Sequence, residues 1–155
     1  MHLNHKCLDS CTDPLGVEDG TIPDNQLKAT SQYNNEHKPY RARLHSTKAW
    51  AASSNDLDQW IQADIGALTE ITGVITQGHF GYDEWVTSYK VLYSVDGSTF
   101  NTIDTVFTAN TDRDTEITNM FSTPVNAQFI RIHPLTWEDH ISLRFEVLGC
   151  LGKCR

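Results

Sequence analysis

Asp83-Glu84 and Glu138-Asp139 are adjacent carboxylate pairs, each followed or preceded by a tryptophan (Trp85, Trp137) and each near a histidine (His79, His140). Three chemistries are open to such residues. Paired carboxylates can serve as general acid and base, but neighbours in a strand or turn point to opposite sides, and the simpler reading is solvated loop charge. A divalent site from His79, Asp83, Glu84, Glu138, Asp139 and His140 requires their two stretches to converge; its oxygens would favour Ca²⁺, its imidazoles Zn²⁺ or Ni²⁺. Sugar binding needs a flat aromatic face for the pyranose ring and planar polar groups for its hydroxyls. The chain offers Tyr82, Trp85 and Trp137 as platforms, and Asn34, Asn35, Asp83, Glu84, Glu138 and Asp139 as hydroxyl partners. His37, His79, His140 and Arg144 add donors. The competing role for Trp85, Trp137 and Arg144 is packing within the scaffold.

These residues cluster in three stretches, Gln32 to Tyr40, His79 to Trp85 and Thr136 to His140, which read as loops between strands. The strands themselves follow a period of two. Trp60 to Ile65 and Phe129 to His133 alternate, and Ile71 to Thr76, Ser88 to Ser94, Thr115 to Met120 and Ser142 to Leu148 are short, β-branched or aromatic runs bounded by turn residues. Asp96-Gly97, between Tyr93 and Phe100, signals a hairpin. Many short strands predict an all-β sandwich or barrel, with Trp50 and Trp60 assigned to its core.

Composition narrows the function. The 155 residues, 39% of them hydrophobic, suffice for one compact domain. A balance of 12 Lys and Arg against 20 Asp and Glu gives a net charge of -8, which disfavours nucleic acid and acidic membranes as partners. No Gly-x-Ser-x-Gly elbow, His-Glu-x-x-His helix, phosphate loop or Gly-x-Gly-x-x-Gly fingerprint occurs, so a non-enzymatic binding role is expected. No apolar run reaches the roughly 20 residues of a spanning helix, and Met1 to Lys6 lacks the apolar centre of a leader.

The four cysteines sit at the ends: Cys7 and Cys11, Cys150 and Cys154. Four thiolates could hold zinc, and three disulfide pairings are possible. Disulfides are the preferred reading and imply an oxidising, extracellular compartment. A bond such as Cys11 to Cys150 would close a loop of about 140 residues, worth roughly 4 to 5 kcal/mol in the chain-entropy model.

The residues also carry a family pattern. Asp13-Pro14-Leu15-Gly16, Gly20, Asp24, Gln26, Ala42-Arg43-Leu44, Trp50, Gln59 to Ile65, Gly73 to Gly78, Trp85 to Lys90, Tyr93-Ser94, Ile130 to Pro134 and Leu143-Arg144 through Cys150 resemble, in order, the discoidin domain, or coagulation factor V/VIII type C domain. That resemblance implies a jelly-roll-like β-sandwich of about eight antiparallel strands with ligand loops at one end, spanning 11–150. It leaves an extension at 1–10 with Cys7 and a tail at 151–155 with Cys154. The stretches Asp83 to Lys90 and His133 to Arg144 resemble the galactose-binding slime-mould discoidins, which implies a secreted adhesion domain for cell-surface glycans or glycoproteins. The ends resemble the retinoschisin branch, which implies an intradomain Cys11–Cys150 bond and homo-oligomers linked through Cys7 and Cys154, with an intrachain Cys7–Cys154 bond as the alternative. No cofactor is expected beyond a possible structural Ca²⁺.

Two departures qualify the resemblance. Members that enter phosphatidylserine membranes carry exposed apolar side chains at their first two loop tips, whereas this first loop reads Asn34-Asn35-Glu36-His37. Discoidin has an Arg-Gly-Asp stretch where this chain reads His79 to Asp83, so integrin recognition by that motif does not carry over.

Overall fold

The computed structural model describes residues 11–151. Nine strands account for nearly all of the regular structure: β1 (Asp13–Pro14), β2 (Leu27–Ala29), β3 (Trp50–Ala51), β4 (Ile61–Gln77), β5 (Trp85–Ser94), β6 (Asn101–Thr102), β7 (Phe107–Thr108), β8 (Ile117–Glu138) and β9 (Ser142–Gly149). The hydrogen-bonded order is β1-β9-β4-β8-β5-β6, with β2 on β4, β3 on β9 and β7 on β5, and every one of these pairings is antiparallel. The predicted all-β sandwich is therefore the fold. Among the described residues, the helical structure consists of 3-10 turns at Asp24–Gln26, Asn35–His37 and Pro39–Arg41.

Two pairs of predicted strands are single long strands. The runs at 60–65 and 71–76 both lie in β4, and those at 115–120 and 129–133 lie largely in β8. The β4–β8 ladder shifts register between Asp64 and Thr69 and again between Ile71 and Gly73. Such bulges let a strand bend without ending, which is how a sandwich turns its corners. A sequence reading sees the Gly66 region as a break because Gly there takes φ +94 and interrupts the alternation.

The inward face carries Ile61, Ile71, Val74, Tyr89, Val91, Ile130, Ile132, Leu143 and Phe145, all essentially inaccessible, with Trp50 among them. Each such side chain contributes roughly 1.5–3 kcal/mol of burial free energy. Trp60 corrects the expectation: it is half-buried, and the Arg131 guanidinium lies 3.7 Å above its ring, sandwiched against Phe100 at the same distance. The predicted hairpin forms, with β5 paired to β6. Gly97 supplies φ +80 at the turn, and Asp96 Oδ1 accepts the Ser98 and Thr99 amides.

β9 alternates polar and apolar residues, yet all eight are buried. Its polar side is covered by the segments at 15–18 and 42–46, which hydrogen bond to it through Leu15 to Val147 and Leu44 to Phe145. The polar groups enclosed this way are satisfied. Ser142 donates to the Trp50 carbonyl (3.0 Å). Glu146 accepts four amides: Gly16 (3.3 Å), Val17 (2.8 Å) and Val147 (2.9 Å) on Oε2, and Glu18 (2.9 Å) on Oε1. A Cys11–Cys150 disulfide fastens the two ends, as the resemblance implies, so four free thiolates are not available for zinc. Cys7 and Cys154 lie outside the described residues.

Candidate functional site

The first loop is shaped by local capping. Asn34 Oδ1 accepts the Glu36 amide (3.0 Å) at the start of the Asn35–His37 turn, and the same oxygen accepts a proton from His37 Nδ1 (2.7 Å). The second loop folds back on itself through His79 N to Glu84 O (2.9 Å) and Glu84 N to Tyr82 O (2.8 Å). It can do so because residue 78 is glycine: a Cβ there would lie 2.8 Å from Asp112 O and 2.9 Å from Trp85 Cβ. The third stretch is mostly strand rather than loop. Thr136, Trp137 and Glu138 end β8, and only Asp139 and His140 turn the chain, with Asp139 at φ +66.

Ring contacts join all three stretches at one end of the sandwich. His37 Nε2 lies 3.0 Å from His79 Nε2. Tyr33 meets His37 edge-on (centroids 5.9 Å apart) and His140 likewise (5.4 Å), while His79 stacks on Phe80 (5.0 Å) and touches Tyr82 (4.7 Å). Tyr33 (61% exposed), Tyr82 (59%) and Phe80 (40%) present aromatic surface outward from this histidine centre. Asn34, Asn35, Glu36, Asp83, Glu138 and Asp139 are exposed, and Glu84, Trp85, Trp137 and His140 are half-buried. β5–β8 pairing sets Trp85 opposite Glu138 and Val86 opposite Trp137. Trp137 packs against the core.

Three expectations change. His79 is fully buried with both ring nitrogens engaged, since Nδ1 accepts the Gly81 amide (2.9 Å), so it supports the surface from beneath. Arg144 is also buried, and its guanidinium donates to the Gly78, Ser46 and Arg113 carbonyls and to Asp114 Oδ1, which places it in the scaffold of the second loop. The six-residue divalent set does not assemble. Among the described residues, the one group whose ligand atoms lie mutually within 4.8 Å is Cys11, Glu70 and Cys150, and its two sulfurs are bonded to each other. His79 Nε2 is further unsuited to a cation because a metal there requires a proton on Nδ1, where the Gly81 N–H already points.

Burial pushes the His79 imidazole down to about 4, with the cationic forms of His37, Arg144 and Arg113 acting in the same direction. His37 is lowered, mainly by burial and against the pull of Glu36. Burial raises the Glu84 carboxyl.

The structure adds residues to the site that the sequence left out. Tyr33 and Phe80 are exposed beside the chosen residues; their signal was an aromatic in an otherwise polar loop. Arg113 holds Asp83 (2.8 Å), and Asn55 bonds His140 Nδ1 (3.2 Å) and the Ile141 amide (2.9 Å), bringing in two further loops that no motif marked. The polar reading of the loop tips is accordingly incomplete. A shallow cleft of about 430 Å³ bordered by Tyr93, Asp104, Thr105, Ser122 and Asn126 lies at the other end of β5 and contains none of these residues.

An antiparallel sandwich closed at its termini by one disulfide, with long bent central strands and its accessible aromatic and acidic residues gathered on loops at one end, is a discoidin-type domain. The chain belongs to the F5/8 type C domain family, whose model matches residues 26–147. It is 38% identical over 161 residues to lactadherin of Bos taurus, covering 92% of this chain and 38% of that protein. The chain thus spans under half the length of that relative. Among solved structures it is similar to discoidin II of Dictyostelium discoideum, at 31% identity and a TM-score of 0.78, covering 82% of this chain and 56% of that one. It shares its fold, at 21% identity and a TM-score of 0.69, with a Clostridium perfringens module solved in complex with GalNAc-β-1,3-galactose, covering 83% of this chain and 99% of the module.

Proposed function

We propose that this chain is a secreted, non-enzymatic recognition domain that binds galactose-type sugars of cell-surface glycans at the loop end and promotes adhesion. The observation that carries the reading is the outward aromatic trio Tyr33, Phe80 and Tyr82 set beside the amides of Asn34 and Asn35 and the carboxylates of Asp83, Glu138 and Asp139. The aromatic rings suit the apolar face of a pyranose, and the planar polar groups suit its hydroxyls. The Clostridium perfringens module, which holds a galactose-containing disaccharide on the same fold, is consistent with that use. The Cys11–Cys150 bond supports an oxidising compartment.

A single shallow site binds weakly, and linking copies through Cys7 and Cys154 would raise avidity by ~10²-fold or more where geometry lets several sites engage. The same exposed aromatics favour a second reading, docking at the lipid–water interface, where tyrosine and phenylalanine also partition. Binding of the full chain to a glycan panel, with and without chelator, beside phosphatidylcholine and phosphatidylserine vesicles, separates the two. Galactose-selective capture lost in Tyr82→Ala and Asn35→Ala supports the carbohydrate reading. Vesicle capture without glycan binding replaces it. Non-reducing electrophoresis of wild type, Cys7→Ser and Cys154→Ser reports whether the outer cysteines join chains.

A further inference from the structure

Three histidines, one from each stretch of the loop end, leave no place for another proton. Asn34 Oδ1 also accepts the Glu36 amide, so its side-chain oxygen faces His37 and the proton of that contact belongs to His37 Nδ1. His37 Nε2 is then bare and accepts from His79 Nε2–H across 3.0 Å. His79 Nδ1 in turn is bare and accepts the Gly81 amide. His140 is fixed in the same manner. Its Nε2 donates to the Ala52 carbonyl (2.7 Å), and its Nδ1 faces the Asn55 amide nitrogen, whose own oxygen is held by Ile141 N–H. Every ring nitrogen carries a proton or meets a donor. A proton added to His37 sets N–H against N–H at His79, one added to His79 sets it against Gly81, and one added to His140 sets it against Asn55.

The charges around this chain offset such a proton only in part: burial, His140 and Lys48 oppose one on His37, while Glu36 favours it. Around His37 stand Glu36 and Lys48, which pair with each other at 3.6 Å, and His140. Around His79 stand His37, His140, Arg144 and Arg113, all cationic or able to become so. Glu84 faces both His140 and Asp139, and Asp83 is held by Arg113.

We propose that the loop end is a proton-released latch: the His37–His79 contact holds the first and second loops together as a neutral pair, and protonating it separates them and discards the ligand. The latch rests on the carbohydrate reading for the identity of that ligand, but not for its own operation. The site is closed at neutral pH and opens in acid. Separation takes Tyr33 away from Phe80 and Tyr82, because the histidine pair is what links their rings.

The test is imidazole and backbone amide NMR of the full chain from pH 7.5 to 4, with glycan binding measured on the same samples. At pH 7.5 the expected tautomers are Nδ1–H for His37 and Nε2–H for His79 and His140. On acidification the amides of 34–37 and 79–84 shift together with the His37 and His79 rings, while those of β4 and β9 hold still. The midpoint stays in place in Glu84→Gln, and wild-type galactose binding falls at least about tenfold across the titration, equivalent to 1.4 kcal/mol. Other tautomers, loop shifts that follow the carboxylate in Glu84→Gln, histidines that titrate without moving the loops, or Zn²⁺ seated on both Nε2 atoms would each overturn the latch. A loop transition in a protein that binds no glycan at any pH refutes the carbohydrate reading and leaves the latch standing.

Discussion

Glu146 is a buried carboxylate with four amide donors, three on Oε2 and one on Oε1, and with no cation paired to it among the described residues. Those donors come from residues 16–18 at the start of the domain and from Val147 on β9, so the side chain joins the N-terminal segment to the strand that closes the sandwich. Glu146→Gln keeps the shape and replaces one oxygen with an NH₂. If the amide nitrogen takes the Oε1 position, it faces Glu18 N–H and one charge-assisted bond is lost. If it takes the Oε2 position, three are. Hydrogen bonds to a charged acceptor are worth about 1.5–3 kcal/mol, and a buried donor left unpaired costs a further 1–3. The favourable orientation therefore implies a loss of roughly 2.5–6 kcal/mol. For a chain of this length that corresponds to a fall in Tm of about 5–24 °C, at roughly 2–4 °C per kcal/mol. Thermal melts by circular dichroism, with guanidinium midpoints as a second probe, measure it. Glu70→Gln, at an exposed position, serves as the control and should change Tm little. A Glu146→Gln variant that melts within about 2 °C of wild type would refute the argument that these four bonds anchor the segment.

Three further outcomes follow from the same structure. Reducing the Cys11–Cys150 bond, or replacing both cysteines by Ser, opens a loop of sequence separation 139, and the chain-entropy model expects a loss of about 4–5 kcal/mol, read as a drop in Tm of about 8–20 °C. His45 bridges Glu18 (2.8 Å) and Glu116 (2.7 Å), and those two carboxylates raise its pKa. Because the folded value lies above the unfolded one, its stabilisation is present below about 6.5 and disappears as pH rises through the folded value. The group is largely exposed, so His45→Gln should cost under about 1 kcal/mol at pH 6 and nothing measurable at pH 9.5, by melts at the two pH values. His79 works in the opposite direction: its lowered pKa makes wild-type stability rise with pH between about 4 and 6.5.

Much of this was legible in the chain. Period-two alternation marked the strands because each has one face in the core, and Asp96-Gly97 marked a hairpin because the turn needs a positive φ that Gly supplies. The polar face of β9 was misleading for a physical reason. Ser142, Arg144 and Glu146 look like a solvent face, but loops distant in sequence cover them and supply their partners, which no local pattern encodes. The candidate site shows the same limit. Its three stretches stood out by composition, and the structure does bring them together. Which side chains face outward depended on the fold: His79 turns inward beside a glycine at 78 that has no room for a Cβ, Arg144 lies on the covered polar side of β9, and Tyr33 and Phe80 are left exposed. Trp60 lies under Arg131 rather than in the core, a cross-strand stack invisible to burial propensity.

The proposed binding of galactose-type sugars at the loop end can be tested directly. Titrating ¹⁵N-labelled protein with lactose at pH 7.5 and following backbone amides tests it residue by residue. The account predicts saturable shifts confined to residues 33–37, 80–84 and 137–140. Saturable shifts at the cleft near Tyr93 and Asn126 instead, or no shifts at millimolar lactose from a folded sample, would contradict it.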